Sequence, residues 1–176
     1  MPSYSSLFAL CVVASGIVGT TLANPLAARA KCSPNFEGAG ISILGANGFV
    51  TPDGRGHGSN APYWHIQQNG QSVPGYTFRD IANDNVALTR NPDNSLTMGA
   101  VANSGNDVRQ TFNIECDTCV GGAATAPPMT SIATGCNIKL NADPTLCVQV
   151  GRAPSDDLNL AQCGAIPGSQ GFSFST

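Results

Sequence analysis

The sequence predicts a small all-β domain, stapled by disulfides and preceded by an N-terminal leader. Three observations carry that reading: short alternating apolar segments bounded by turn residues, a long uncharged run confined to the start of the chain, and cysteines that become even in number once that run is removed.

The leader comes first. Residues Met1 to Ser6 are polar apart from Met1, Pro2 and Tyr4, and 7–22 run LFALCVVASGIVGTTL without a charge. This is the pattern of a signal-peptide core: it falls short of the ~20 apolar residues of a membrane span and breaks at Asn24-Pro25. Small residues suited to cleavage stand at Ala23 and at Ala28-Arg29-Ala30, so cleavage after Ala23 and cleavage after Ala30 both fit. The organisation expected is a signal peptide over 1–23, a short leader over 24–31 and one domain over 32–176. An uncleaved anchor would want a basic flank before the apolar run, and none is present. No second long apolar run follows, so the mature form should have no membrane span and should be secreted.

Composition narrows the partners. Eight Lys and Arg against eleven Asp and Glu give a net charge of −3, and the basic residues are scattered without a stripe or interleaved aromatics, which argues against nucleic acid. Twenty glycines and twelve prolines suit short strands joined by frequent turns. The mature length suits one domain with a sizeable core.

Of seven cysteines, Cys11 leaves with the leader. Cys32, Cys116, Cys119, Cys136, Cys147 and Cys163 remain, and in an oxidising compartment they read as three disulfides with many possible pairings. Cys147 and Cys163 flank one expected hairpin and are the pair to be bridged. Cys116-Asp-Thr-Cys119 is a CxxC, but no second CxxC and no following helix accompany it. Bridging to distant partners is therefore favoured over redox or metal chemistry.

Strands are expected at 40–44, 63–66, 76–81, 85–89, 95–98, 110–115, 137–140, 146–150, 158–162 and 171–174, with no helical period of comparable length. Turn chemistry separates them at Pro52-Asp53-Gly54, Asn69-Gly70, Val73-Pro74-Gly75, Asn91-Pro92-Asp93 and Pro167-Gly168. Two stretches, 51–62 and 120–128, read as surface loops. One short pattern recurs at the end of three successive units. Gln110-Thr111-Phe112-Asn113-Ile114 and Gln170-Gly171-Phe172-Ser173-Phe174 share Gln-x-aromatic-polar-apolar, and Pro62-Tyr63-Trp64-His65-Ile66 fits the frame with Pro for Gln. Alternation puts both apolar positions of each copy on one face, so Trp64, Phe112 and Phe172 are expected at equivalent core positions.

These units resemble the ricin B-type lectin family, whose fold is a β-trefoil of three repeats, each ending in Gln-x-Trp. The last unit carries the likeness: Leu146-Cys147-Val148-Gln149-Val150, Leu158-Asn159-Leu160-Ala161-Gln162-Cys163 and Gln170-Gly171-Phe172 stand in the order of the family's segments. The resemblance supports the Cys147 to Cys163 bridge and implies a sugar site in which a carboxylate and an amide hold vicinal hydroxyls beneath a stacking aromatic ring. Carried over, the sugar-facing positions are Gln149, Asn159 and Gln170. Here the sequence departs from the family: Gln149 replaces its Asp, Ala161 its aromatic and Ser169 the Asn before its Gln, and Arg109 precedes Gln110 in the middle unit. Gln110 and Gln170 are read first as structural hydrogen-bonders, and Trp64, with Tyr63 beside it, as core before sugar platform.

No catalytic or metal motif is present, so neither an enzyme nor a cofactor is expected. His57 falls in a Gly-rich loop, His65 should face solvent, and Asp80 with Asp84 and Asp156-Asp157 suit turns and caps. The expected function is a secreted carbohydrate-binding module whose partners are glycans or glycoproteins. The alternative is a protein-binding module, such as a protease inhibitor or effector, presenting the loop 51–62. No Asn-x-Ser/Thr site occurs.

Overall fold

A ring of paired strands forms wherever period-two apolar segments can each find two neighbours, and this chain does so. The computed structural model describes residues 30–53, 62–102, 107–153 and 156–176. The apolar leader, the bond after Ala23, His57 and most of the loop 51–62 lie outside them. In chain order the strands are β1 (Gly40–Gly45), β2 (Gly48–Phe49), β3 (Trp64–Gln68), β4 (Tyr76–Asp80), β5 (Asn83–Arg90), β6 (Leu96–Ala100), β7 (Phe112–Glu115) and β8 (Thr118–Cys119), then β9 (Ser131–Leu140), β10 (Asp143–Gln149), β11 (Asn159–Gln162) and β12 (Phe172–Ser175). A 3-10 turn, Ala123–Thr125, lies between β8 and β9.

The pairing is antiparallel throughout. β1 pairs with β3, β3 with β4, β4 with β7, β7 with β9, β9 with β12, and β12 returns to β1, closing a six-strand barrel. Three hairpins leave the ring: β2 on β1, β5 with β6 after β4, and β10 with β11 after β9. Closure removes the free strand edges that an open sheet of this length would expose.

Alternation fills the interior. Trp64 and Ile66, Tyr76 and Phe78, Phe112 and Ile114, Phe172 and Phe174 are all buried, with their intervening neighbours turned outward. Trp64, Phe112 and Phe172 are thus core residues, as the repeat predicts. Trp64 Nε1 donates to Val50 O at 2.9 Å, and Phe78 meets both Trp64 and Phe112 edge-on at 6.3 and 5.6 Å. Tyr76 needs a polar partner for its buried hydroxyl and finds it at Pro34 O, 2.7 Å away, which pins the segment leading into β1.

The disulfides are Cys32–Cys119, Cys116–Cys136 and Cys147–Cys163. The last is the expected pair, and both cysteines of the CxxC bridge to distant partners. Two expectations needed correction. β9 begins six residues before the strand expected at 137–140, because Gly135, at φ 63, breaks the alternation where the pairing with β12 shifts register. A side chain at Gly135 would collide with the Asp117 carboxylate. The stretch 120–128 is not wholly a surface loop either, since Ala123 is buried in the core. Among the described residues no helix is long and apolar enough to cross a membrane.

Two outcomes follow from this packing. Replacing Cys147 and Cys163 together by Ser should cost about 3 kcal/mol in denaturant unfolding, as expected for a loop of this size. Burial pushes the Tyr76 phenol from 10.0 up to about 12. A folded-state pKa raised in this way stabilises the protein fully below the ordinary value and is lost as pH rises through the shifted one. Stability should therefore fall between pH 10.0 and about 12, and the fall should be shallower in Tyr76→Phe, measured by denaturant midpoints across that window.

Candidate functional site

The hairpin β10–β11 brings the candidate residues together. Its register sets Cys147 against Ala161, Val148 against Leu160 and Gln149 against Asn159, so these two amides stand opposite each other where the ladder meets the β10–β11 connection. The Cys147–Cys163 bridge holds the two strands together nearby. Beyond Gln149 the chain turns out through Gly151 and Arg152 and returns through Asp156 and Asp157.

Between these segments lies a depression of about 760 Å³, lined by Gln149 and Asn159 together with Arg152, Asp156, Asp157 and Ser169. The turn between β1 and β2 closes one side: Asn47 also lines it and donates from Nδ2 to Gly151 O at 2.7 Å. Gly151 is required where it stands, because a Cβ there would lie 2.0 Å from Asp156 Cβ. Asp156 in turn accepts from Ala153 N at 2.9 Å, a cap of the kind expected for this pair of acids. Among the described residues no aromatic ring lines the depression.

Gln170 is placed differently from the other two candidates. Only 5 % exposed, it lies behind the depression and not in its lining. Its Nε2 donates to Gln162 O at 3.0 Å and to Gln149 Oε1 at 3.3 Å, while its Oε1 accepts from Gly164 N at 2.7 Å. Gln110 does the same in the middle unit: Nε2 donates to Ala100 O at 2.8 Å and to Thr89 Oγ1 at 2.9 Å, and Oε1 accepts from Ala102 N at 3.1 Å. Each glutamine therefore clamps its own hairpin to its own barrel strand. In the first unit Pro62 has no side-chain amide to do this.

The remaining sequence candidates are dispersed. His65 is half-buried on the outer face and pairs through Nδ1 with Asp84 Oδ1 at 2.7 Å, with Arg79 Nη1 3.7 Å from the other carboxylate oxygen. It is thus less open to solvent than alternation alone suggested. Asp80 accepts from Ala82 N at 2.9 Å in a turn. Trp64 is fully buried, which leaves Tyr63, 39 % exposed, as the half of that pair at the surface; it lines a shallow, mainly apolar depression with Ile81. Among the described residues no cluster of His, Cys, Asp or Glu is placed to hold a metal ion.

No protein-family model and no curated protein matches the sequence. Among solved structures, a chain from the structure of a mosquitocidal holotoxin is similar, with a TM-score of 0.55 at 14 % identity over 78 % of this chain. The match spans 17 % of the toxin chain. At that identity the likeness concerns the fold alone.

The clamps make a direct test. Gln110→Leu and Gln170→Leu each leave a carbonyl, an amide N–H and a side-chain oxygen without their partner, and each should cost about 1–3 kcal/mol in denaturant unfolding.

Proposed function

We propose that this chain is a secreted, non-enzymatic carbohydrate-binding module, a β-trefoil of three repeats released by removal of its signal peptide. The observation that carries the reading is the pairing of Gln149 with Asn159 across the β10–β11 ladder beside the 760 Å³ depression. Both positions are ones that the resemblance to ricin B-type lectins makes sugar-facing.

Other features support the same reading. The barrel strands fall into successive pairs, β1 with β3, β4 with β7 and β9 with β12, each pair enclosing a hairpin excursion, which is the order a trefoil requires. The glutamine clamps of the second and third pairs repeat bond for bond. Three disulfides fit an oxidising, extracellular setting. Polyhydroxylated ligands need donors and acceptors together, and the amides, carboxylates and guanidinium of the depression supply both. With no ring among the described lining residues to stack on, binding rests on hydrogen bonds worth about 0.5–1.5 kcal/mol each, so affinity for a single sugar should be weak. Gln170 acts in this scheme by holding Gln149.

A glycan array probed with the oxidised protein lacking its leader tests the proposal. Specific binding that Asn159→Ala abolishes, with unfolding unchanged, is the expected result. The absence of binding to every glycan would overturn it.

A further inference from the structure

The clamp behind the depression fixes which end of the Gln149 amide a ligand meets. We propose that Gln149 sets the specificity of the site by presenting only a donor, and that the sugar taken is an N-acylated amino sugar, a 2-acetamido-2-deoxy hexoside whose carbonyl oxygen accepts from Gln149 Nε2; this rests on the carbohydrate-binding reading above. Two backbone groups decide the orientation. Gly164 N can only donate, so the Gln170 atom 2.7 Å from it is Oε1, and Gln162 O can only accept, so the Gln170 atom 3.0 Å from it is Nε2. That same Nε2 also donates to Gln149, whose atom 3.3 Å away is therefore Oε1. Turning the Gln149 amide over would set two NH2 groups against each other. The middle unit fixes its clamp in the same way, through Ala102 N and Ala100 O.

The nitrogen is the end of Gln149 left for a ligand. Gln149 is 9 % exposed and lines the depression, whereas Gln170 stands behind it. Among the described residues nothing accepts from Gln149 Nε2, and a nearly buried donor without an acceptor favours a ligand that brings one. The acidic residue that the family resemblance implies at this position would accept the proton of a sugar hydroxyl. Gln149 cannot, because its oxygen is turned to Gln170. Asn159 stands opposite Gln149 in the ladder and lines the same depression, and among the described residues no side-chain hydrogen bond decides which way its amide turns. An acetamido group matches this pair: its carbonyl takes the N–H of Gln149, and its own N–H has the Asn159 oxygen to donate to. A sugar carboxylate also accepts, but neutral amides on a nearly buried floor do not offset the hydration it would lose.

The experiment is a concentration series of the oxidised protein on an array of matched sugars that differ only at C2: glucose with N-acetylglucosamine, galactose with N-acetylgalactosamine and mannose with N-acetylmannosamine, beside glucuronic and galacturonic acid. In at least one pair the acetamido member should bind about tenfold tighter than its hydroxyl counterpart. Gln149→Glu, which still accepts from Gln170 but presents no donor, and Gln149→Met, which removes the amide at similar size, should each abolish that preference. Equal binding within every pair, tighter binding of a hydroxyl or uronic acid sugar, or a preference unchanged in both variants overturns the inference. If such a sugar is nevertheless bound and Asn159→Ala releases it, the carbohydrate-binding reading stands without this one. Binding to no glycan at all removes both.

Discussion

Between β4 and β7 the barrel closes on one backbone pair, Tyr76 with Phe112, and the side chains of those same residues lie in its interior. Every other junction of the ring has a longer ladder or a continuous strand behind it, but here closure depends on packing as much as on hydrogen bonds. Phe112 is held edge-on by Phe78, and Tyr76 reaches the carbonyl of Pro34. If the ring opened, two strand edges would be exposed and the three hairpins would lose the frame from which they project.

The candidate site inherits its rigidity from that frame. β9 feeds β10 directly, β12 follows the loop that walls the depression, and Gln170, at the threshold of β12, ties the hairpin back to the barrel. The middle unit has the same support with different chemistry. There Gln110 meets Thr89 where Gln170 meets Gln149, and the Thr89 hydroxyl is spent on Ala87 O. A common scaffold therefore holds an amide beside the clamp in one unit and a short hydroxyl in the other.

Much of the fold was legible because a half-buried strand writes its two faces into alternate residues. Phe112, Ile114, Phe172 and Phe174 could be assigned inward from spacing alone. β2 and β8 were missed because two residues carry no period, and the first half of β9 because Gly135 interrupts it. Of the site, Gln149 and Asn159 were visible in their motifs. Arg152, Asp156 and Asn47 were not assembled with them, since no pattern links a turn after β1 to a loop after β10.

What the sequence by itself determined is the local alphabet: all-β segments, turn positions, a core aromatic in each unit and the Cys147 to Cys163 hairpin. Each of these depends on neighbours within a few residues or on a disulfide closing a short loop. The tertiary structure decided the closure of the ring, the Cys32–Cys119 and Cys116–Cys136 pairings, and the meeting of Asn47 with Gly151. Those contacts join residues distant in the chain, and their partners are chosen by how the barrel places the loops in space, a choice that no local spacing records.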